Sequence, residues 1–302
     1  MVNYVYIYNV IKQSLIMTSQ DQKLIVAQIR EHLLPKCFNA AVKAGAAIMN
    51  IYNNYDDYDI SLKSDHTPIT IADRMAHNTI KEYLGPTRVP VLSEEGREIL
   101  FEERRNWELF LLVDPLDGTV EFIKRNNEFT VNIALLAEGE CVGSVLYVPC
   151  LKKMYIAAKG KGAYLIRNIE PCDNPQYEGT QIEAMLERLP LESNRHDGFR
   201  MAVSRSHQTP ETLERIAHMR ELHPDLELIE QGSSYKFCLL AEGAVDYYVR
   251  TTNTYEWDTA AGELILSEAG GKTISYPDGE PLAYNKKDLH NPWFEATGAK
   301  YE

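Results

Sequence analysis

The chain has 302 residues, a length that suits one large domain or two of medium size. Hydrophobic residues make up 44% of it and charged residues 25%, as in an average soluble globular protein, so the disordered, collagenous and disulfide-scaffold classes are excluded. The 31 basic and 44 acidic residues give a net charge of −13, which argues against a nucleic acid polymer or an anionic membrane as a general partner. A small anionic substrate would need basic side chains or metal cations placed locally.

The cysteines indicate a reducing compartment. Five of them are scattered along the chain without a CxxC pair: Cys37, Cys141, Cys150, Cys172 and Cys238. An odd number without metal-ligand spacing is typical of reduced thiols rather than of a disulfide framework. We therefore expect a cytoplasmic protein.

Residues 1–20 are predicted to be an N-terminal extension. The first 17 residues are apolar and rich in tyrosine, yet they lack the basic start and the small-residue cleavage site of a secretory signal. Asn9, Lys12 and Gln13 interrupt the apolar run, which is too short to span a bilayer. Two interpretations stay open: translation begins at Met17, which we favour, or the segment makes a peripheral contact with the inner face of the cell membrane.

Residues 21–167 are predicted to form an α+β lobe that contains a metal site. Apolar residues recur at helical spacing over 23–53 with a break at Pro35, and Thr70 is a suitable cap for a second helix that ends at Leu84. A turn is expected around Asp65. Short apolar runs predict strands at 89–92 and 109–113, followed by an antiparallel meander at 130–137, 142–148 and 154–157.

Residues 168–198 are polar and are predicted to be a linker or insertion that carries one short helix. In residues 199–302, strand-like and helix-like runs alternate, which is typical of a sheet covered by helices. Strands are expected at 201–203, 226–229, 245–249 and 272–275, and helices at 211–222, 235–241 and 259–269. The predicted fold class is therefore α/β or α+β, arranged in two lobes.

The clearest chemical motif covers residues 113–119, with the sequence Val-Asp-Pro-Leu-Asp-Gly-Thr. An apolar strand ends in Asp114, and Asp117 follows across a turn that Pro115 stiffens. Two carboxylates aimed at one point suit a hard divalent cation such as Mg²⁺, and a helix start at Gly118 would offer N–H groups to a phosphate. A turn with solvated acids explains this motif equally well when it is taken alone.

Two further acidic sites follow a strand or begin a helix. Glu94 and Glu95 follow the predicted strand at 89–92 after one serine, and like charges this close are costly to hold together without a cation. Asp258 is predicted to be the N-cap of a helix rich in small residues. Each site alone is better explained as a solvated loop or a plain helix cap. Three acidic sites together, however, indicate a phosphate site with several metal ions.

These motifs resemble the inositol monophosphatase superfamily of Mg²⁺-dependent, lithium-sensitive phosphatases. The resemblance rests, in this order and spacing, on the acidic pair at 94–95, on Asp114-Pro-Leu-Asp117-Gly-Thr119 and on Trp257-Asp258-x-Ala-Ala-Gly262. The CysQ-type branch of 3′(2′),5′-bisphosphate nucleotidases is similar in four further places: the run after Thr119, residues 67–73, residues 204–207 and residues 232–238. The resemblance covers residues 24–300 and implies a layered αβαβα sandwich.

The resemblance also implies the metal ligands and the catalytic residues. Two or three Mg²⁺ ions would be held by Glu94, Asp114, the backbone carbonyl of Leu116, Asp117 and Asp258. The ions would bind the phosphate and lower the pKa of a bound water. Thr119 and Asp73 would orient that water and accept its proton, with Glu94 as a further catalytic residue. Glu95 would support Glu94 or hold a third, weaker ion.

The same resemblance implies the substrate contacts. The phosphate to be removed would meet the metal side of the site, formed by Glu94, Leu116, Asp117, Gly118, Thr119 and Asp258. The nucleoside and its second phosphate would be held by Ser204, His207, Gly232 and Lys236. A lysine suits a phosphate chemically. Without the resemblance, a surface histidine and a solvated lysine are the simpler explanations of His207 and Lys236.

Two segments depart from the family pattern. Residues 168–198 are longer than expected, and residues 251–256, Thr-Thr-Asn-Thr-Tyr-Glu, stand where the family tends to have a turn rich in Gly and Pro. Neither departure removes a carboxylate of the metal site. The second is expected to alter the rim of the substrate pocket.

The expected activity is hydrolysis of adenosine 3′,5′-bisphosphate to AMP and phosphate, with the sulfated relative of this nucleotide as a second substrate. The alternative is an inositol or sugar phosphatase of the same superfamily, which Lys236 disfavours because it supplies a cation for a second phosphate. A nucleotide sensor without catalysis is least favoured, since every metal carboxylate and Thr119 are present. The protein is expected to act as a monomer or a homodimer.

Overall fold

A computed structural model describes residues 32–54, 61–62 and 68–300 of the protein. These residues form two large β-sheets whose faces are covered by helices. The predicted N-terminal extension, the helical run before residue 32 and the turn around Asp65 lie outside the described residues.

Two helices form the first layer. Helix α1 comprises Leu34–Asn54 and helix α2 Ile71–Leu84, and between them in sequence lies a small sheet of β1, Ser61–Leu62, and β2, Pro68–Ile69. Pro35 lies in the first turn of α1, where its missing N–H leaves no helical hydrogen bond unmade. Thr70 caps α2 as predicted, since its hydroxyl oxygen accepts the Ala72 N–H at 3.1 Å.

The larger sheet has seven strands in the order β3–β4–β5–β6–β7–β8–β9. Their bounds are β3 Val91–Ser93, β4 Leu109–Asp117, β5 Thr130–Ala137, β6 Glu140–Val148, β7 Lys153–Ala158, β8 Gly162–Ile166 and β9 Glu187–Arg188. β3 and β4 are parallel and the following pairs are antiparallel, so the predicted meander is confirmed. Three short helices lie in the connections: α3 Phe101–Arg104, α4 Thr119–Ile123 and α5 Gly179–Glu183.

The central strands of this sheet are apolar on both faces. On β4, Leu111 and Val113 pack in the core shared with α1 and α2, whereas Phe110 and Leu112 pack on the opposite face. Each of these buried side chains contributes about 1.5–3 kcal/mol by leaving water. A strand buried on both faces is an unfavourable place for a charge, so the carboxylate of Asp114 at its end requires a functional explanation.

The second sheet has five strands in the order β11–β10–β12–β14–β13. Their bounds are β10 Arg200–Ser204, β11 Glu227–Gln231, β12 Tyr247–Arg250, β13 Lys272–Ser275 and β14 Phe294–Thr297. The accompanying helices are α6 Pro210–Leu222, α7 Tyr235–Glu242 and α8 Glu256–Glu268. The alternation predicted for this part of the chain is confirmed, but β14 is not predicted because its alternation of apolar and polar residues lasts only four positions.

The layers pack in the order helix, sheet, helix, sheet, helix. α7 and α8 lie between the two sheets, where Ile265 of α8 shares a core with Tyr155 of the larger sheet and Phe294 of the smaller one. α6 covers the outer face of the smaller sheet, with Met219 packed in a core with Tyr247. The expected αβαβα sandwich is therefore confirmed.

Residues 168–198 contain the short α-helix that the sequence predicts, α5, and also the strand β9 and a turn of 3-10 helix at Glu192–Asn194. β9 pairs with β8, so this polar segment supplies an edge strand of the larger sheet. The division of the chain at 20, 167 and 198 stays a prediction. Within the described ranges, no helix combines the length and the apolar character that crossing a membrane requires. The predicted peripheral membrane contact falls on residues 1–20, outside those ranges.

Candidate active site

A β-bulge at the end of β4 places the two aspartates of the central motif. In the pairing with β5, Asp114 lies opposite Asn132 and Asp117 opposite Thr130, so three steps along β4 match two along β5. The extra residue bends the strand and re-aims its side chains. The bend is closed by a hydrogen bond in which the Leu116 N–H donates to Asp114 Oδ1 at 3.0 Å.

Three carboxylates from separate elements meet at this bulge. β3 and β4 run parallel, and the Glu94 N–H donates to the Val113 carbonyl at 3.1 Å, so Glu94 and Asp114 leave the sheet at the same edge. Asp258 comes from the first turn of α8. One carboxylate oxygen of each of the three acids lies within 4.8 Å of the others. We refer to Glu94, Asp114 and Asp258 as the carboxylate cluster.

The electrostatics of the carboxylate cluster favour a cation. Burial raises the pKa of Asp114 well above its ordinary value, and the negative charges of Glu94, Asp117 and Asp258 raise it further. Burial and the charges of Asp117 and Glu94 raise the pKa of Asp258 in the same way. Like charges at this distance destabilise one another unless a positive charge lies between them.

The donor set of the carboxylate cluster fits Mg²⁺. This ion prefers oxygen ligands at about 2.1 Å, so two ligands of one ion lie roughly 3–4 Å apart. Carboxylate oxygens within 4.8 Å of one another reach that spacing with a small side-chain movement. His77, whose Nδ1 lies 2.9 Å from Ser93 Oγ, is not part of the cluster. A set made only of oxygens therefore favours a hard cation over zinc.

The prediction that Asp258 is a helix N-cap is wrong. Tyr255 is the N-cap of α8, and Asp258 is the third residue of the helix. Its Oδ2 accepts the Tyr255 N–H at 2.8 Å. A carboxylate at the third position reaches back to the N-cap N–H and also meets the positive end of the helix dipole. The helix thus begins three residues earlier than the small-residue pattern indicates.

Thr119 and Asp73 form a hydrogen-bonded pair beside the carboxylate cluster. The Thr119 hydroxyl donates to Asp73 Oδ1 at 2.9 Å. Asp73 Oδ2 accepts from the Thr70 N–H at 2.7 Å and from the Thr70 hydroxyl at 2.6 Å. Burial raises the pKa of Asp73, and hydrogen bonds from Thr70 and Thr119 oppose that rise.

Asp117 is not among the three acids whose oxygens lie within 4.8 Å of one another, although its charge acts on both Asp114 and Asp258. Its Oδ2 accepts a hydrogen bond from the Ser234 N–H, which links the bulge to the start of α7. Gly118 follows with a φ of 92° and is the N-cap of α4. Any Cβ at this position would lie 3.0 Å from the Glu128 carbonyl oxygen, so both conformation and space require glycine here.

The predicted metal side and the predicted nucleotide side line one cavity of about 550 Å³. Its wall includes Glu94, Asp114, Leu116, Asp117, Gly118, Thr119, Ser204, His207, Lys236 and Asp258. Asp73 lies behind Thr119, outside this lining. Gly232 is also outside it. The structure therefore brings most of the predicted residues together and leaves these two in supporting positions.

Lys236 is fully enclosed rather than solvated. Its side chain is 2% exposed, and Nζ donates to the carbonyl oxygens of Gln231 at 3.1 Å and Ser233 at 2.6 Å. Burial, and after it the charge of Arg250, lower the pKa of Lys236 to about 7, while the charge of Asp117 acts in the opposite direction. The amine therefore lies between the acidic and the basic parts of the cavity.

Ser204, His207 and Arg250 form the basic end of the cavity. Ser204 Oγ accepts the His207 N–H at 3.2 Å and an Arg250 guanidinium N–H at 3.3 Å. Burial lowers the pKa of His207, and the charges of Arg250 and Lys236 lower it further. An anionic group of a substrate would be attracted to this end.

Gly232 lies behind the cavity wall, where it contacts Glu128 and Glu121. Its N–H donates to Glu128 Oε2 at 2.7 Å, and Glu128 also accepts from Arg205 at 2.8 Å. A Cβ at position 232 would lie 2.5 Å from Glu121 Cγ, and Glu121 does line the cavity. The close approach that requires glycine at position 232 is therefore to Glu121.

Arg250 and Thr252 are two residues of the site that the sequence does not predict. Both line the cavity, and both have a buried polar atom, Arg250 Nε and Thr252 Oγ1, with no hydrogen-bond partner among the described residues. Arg250 is the last residue of strand β12. It could have been predicted in the same way as Asp114, as a charged residue at the end of an apolar strand. Thr252 lies in the segment that departs from the family pattern.

Comparison with known proteins agrees with this geometry. The inositol monophosphatase family matches residues 30–299 of the chain. The 3′(2′),5′-bisphosphate nucleotidase CysQ of Salmonella typhimurium is 40% identical over 268 residues, which cover 88% of this chain and 99% of that protein. The protein of the same name from Haemophilus influenzae is 35% identical over 274 residues, covering 89% of this chain and 94% of that one.

Solved structures of the same family are also similar to this chain. The crystal structure of CysQ from Bacteroides thetaiotaomicron, described as a bacterial member of the inositol monophosphatase family, is 45% identical with a TM-score of 0.81. The match covers 89% of this chain and 98% of that chain. The SuhB protein of Bartonella henselae is 24% identical with a TM-score of 0.67 and covers 88% of this chain and 93% of its own, which shows a shared fold.

Proposed function

The chain belongs to the inositol monophosphatase family, and from this premise we propose that it is a phosphatase that converts adenosine 3′,5′-bisphosphate into AMP and phosphate. The observation that carries the proposal is that one cavity holds the carboxylate cluster and, as a separate group, the cations Lys236 and Arg250. A substrate with two phosphates meets both groups at once. The relatives named as 3′(2′),5′-bisphosphate nucleotidases, at 35–40% identity, support this choice.

The carboxylate cluster, with Asp117 and the Leu116 carbonyl, would hold two or three Mg²⁺ ions. When bound, such ions neutralise phosphate charge and make a coordinated water more acidic. The protein contributes rigid placement of these ligands: Asp114 is held by the Leu116 N–H and Asp258 by the Tyr255 N–H. Fixed ligands let the site bind cation and phosphate without first reorganising.

Thr119 would orient the attacking water and Asp73 would receive its proton. Because the Thr119 hydroxyl donates to Asp73, its lone pairs are left to accept a hydrogen bond from water. The raised pKa of Asp73 makes its carboxylate a better proton acceptor. The water oxygen forms a bond to phosphorus while the bond to the ribose 3′-oxygen breaks, and that oxygen takes up a proton from solvent.

Lys236, His207 and Arg250 would hold the second phosphate and the nucleoside. The Lys236 pKa of about 7 means that an incoming dianion favours the protonated amine and so gains an ion pair. Ser204 fixes Arg250 and the His207 backbone relative to each other. The sulfated relative of the substrate, which has the same 3′-phosphate, is a second substrate under this proposal.

The test is phosphate release in Mg²⁺ from adenosine 3′,5′-bisphosphate and from inositol 1-phosphate, with and without lithium. We expect lithium-sensitive release from the bisphosphate and little from the inositol ester. The Lys236→Ala variant should lose far more activity on the bisphosphate than on a monophosphate, whereas Asp117→Asn should lose both. Preference for inositol phosphate would establish an inositol phosphatase instead, and release from neither would leave a nucleotide sensor.

A further inference from the structure

A loop of the C-terminal part of the chain, residues 285–291, lies against the first turn of α8. It belongs to the connection between β13 and β14, which contains neither helix nor strand among the described residues. None of the acids of the carboxylate cluster lies in this loop, and the proposed reaction gives it no role. His290 nevertheless pairs with Tyr255, the N-cap of α8, as an isolated β-bridge. We call residues 285–291 the α8 clasp.

Glu256, the first residue of α8, binds the α8 clasp from inside the protein. Its side chain is 0% exposed. Oε2 accepts the Asn285 N–H at 2.6 Å, and Oε1 accepts the Lys286 N–H at 2.9 Å and the Lys286 ammonium at 2.7 Å. In the opposite direction, the Glu256 N–H donates to the Leu289 carbonyl at 3.0 Å. A buried carboxylate is stable only when donors compensate its charge, and the α8 clasp provides these donors.

Asn291 binds the same turn at the other end of the α8 clasp. Its backbone N–H donates to the Thr254 carbonyl at 2.8 Å. Its side-chain Nδ2 is buried and donates to the Tyr255 carbonyl at 2.6 Å and to Thr259 Oγ1 at 3.0 Å. Residues on both sides of Asp258 in the sequence are therefore bonded to one residue of the clasp.

Arg104 anchors the α8 clasp to a different part of the protein. Its buried guanidinium donates to Asn285 Oδ1 at 2.7 Å and to the carbonyl oxygens of Lys286 at 2.6 Å and Lys287 at 3.1 Å. Asn285 Nδ2 returns a hydrogen bond to the Arg104 carbonyl at 3.1 Å. Arg104 ends α3, which lies in sequence between β3 and β4, the strands that lead to the other two acids of the carboxylate cluster. The clasp thus connects this segment with the start of α8.

The first turn of α8 needs support of this kind. Its N-cap is Tyr255, which lacks the short side-chain oxygen with which Ser, Thr, Asp or Asn usually caps a helix. Asp258 in the same turn is repelled by the negative charges of Asp117 and Glu94. A turn that carries a repelled charge moves away from the repelling charges unless other contacts oppose that movement. The contacts of Glu256 and Asn291 oppose it.

We propose that the α8 clasp positions Asp258 for cation binding, with Glu256 and Asn291 as the positioning residues. They keep the Asp258 carboxylate close to Glu94 and Asp114 before a cation neutralises the three acids, so that the site binds the ion without reorganising. This inference rests on the cation site of the proposed function. Loosening the clasp should weaken cation binding itself, in the absence of any substrate.

The test measures the Kd of Mn²⁺, which prefers the same oxygen ligands as Mg²⁺, by electron paramagnetic resonance of the free ion without substrate. Lys286→Met removes the ammonium that binds Glu256, from a side chain that is 28% exposed, so the variant should fold. Loss of a positive charge by itself would strengthen cation binding, whereas a loosened clasp weakens it. We expect the Kd to rise at least threefold, and an unchanged or lower Kd would overturn the proposal.

Asn291→Ala tests the second attachment and should raise the Kd of Mn²⁺ at least tenfold. Ile265→Val is the matched control, because it destabilises the same helix from the core shared with Tyr155, away from the clasp. The control should bind Mn²⁺ as the wild type does, and a Kd raised as much as in Asn291→Ala would assign the effect to stability and refute the proposal.

The wild type separates this inference from the proposed function. Mn²⁺ binding by the wild type, with the same Kd in Lys286→Met and Asn291→Ala, would overturn the clasp alone. A wild type that binds no Mn²⁺ would overturn the clasp together with the cation site of the proposed function.

Discussion

Asp73 and Asp258 occupy the same position in two different helices. Each is the third residue of its helix, and one oxygen of each accepts the backbone N–H of the N-cap residue, Thr70 at 2.7 Å and Tyr255 at 2.8 Å. The other oxygen of Asp73 accepts from Thr119, while Asp258 contributes an oxygen to the carboxylate cluster. The two helix starts therefore each hold one oxygen of an acid in place, and these acids are the ones that meet Thr119 and the carboxylate cluster.

Removal of one charge from the carboxylate cluster should change how the protein responds to Mg²⁺. In the absence of metal, Asp114→Asn should unfold at a higher temperature than the wild type, because one of the repelling buried charges is gone. At a Mg²⁺ concentration 100 times its Kd, the wild type should gain about 2.7 kcal/mol and the variant far less. Thermal unfolding with and without Mg²⁺ measures both effects.

Glu140→Gln serves as the control for this experiment, because Glu140 is an exposed acid that pairs with Lys159 away from the cluster. It should respond to Mg²⁺ as the wild type does. An Asp114→Asn protein that Mg²⁺ stabilises as strongly as the wild type would show that the cluster is not the principal metal site.

The Thr119 hydroxyl should matter for turnover more than for substrate binding. Thr119→Val removes the group that links water to Asp73, and kcat should fall by about 10²–10⁴-fold with a small change in KM. Thr119→Ser keeps the hydroxyl and should retain most of the activity. Steady-state kinetics of the two variants on the bisphosphate decide the matter, and equal losses in both would assign Thr119 a packing role.

Lys236 should make stability depend on pH. Its folded-state pKa of about 7 is below its ordinary value of 10.5, so between these pH values the unfolded chain binds the extra proton. Stability therefore rises with pH across this window, by up to about 1.4 kcal/mol per pH unit from this residue. Lys236→Met should show a shallower rise between pH 7 and 9. Denaturant unfolding at several pH values measures the slope, and parallel slopes would refute the prediction.

Thr252 should contribute to substrate recognition although the free protein does not use its hydroxyl. Thr252→Val removes a buried oxygen that has no partner among the described residues, so stability should change little, while KM for the bisphosphate should rise about fivefold. Thr251→Val is the contrasting variant, because Thr251 Oγ1 contacts Thr209 at 2.8 Å and Thr212 at 2.6 Å. It should lose about 1–3 kcal/mol of stability with an unchanged KM. Kinetics and unfolding curves of both variants test the contrast.

The sequence predicts those site residues whose position is set by their own strand or turn. Asp114 and Glu94 follow apolar runs, and neighbouring strands bring such strand ends together. Gly118 lies where the chain needs a positive φ. Most helices and strands of the layered fold are likewise predicted from periodicity and caps, since their apolar faces repeat over many residues.

Long-range packing determines the rest. The register of α8 depends on Asp258 reaching back to Tyr255, and the small residues alone do not show this. The burial of Lys236 depends on carbonyl groups of the turn before α7. Donors without partners, such as Arg104 Nε, emerge only when the surrounding loops are in place. A single sequence contains no local pattern for these relationships.

The carboxylate cluster is built from residues on both sides of the segment 168–198, which matters if the chain is cleaved there. Glu94 and Asp114 lie before residues 168–198 in sequence, and Asp258 lies after them. Two fragments produced by cleavage in that segment would each hold an incomplete cluster, so neither would have phosphatase activity. Activity recovered on mixing the fragments would measure their reassembly directly, and the enzyme would then serve as a split reporter for proteins fused to its two pieces.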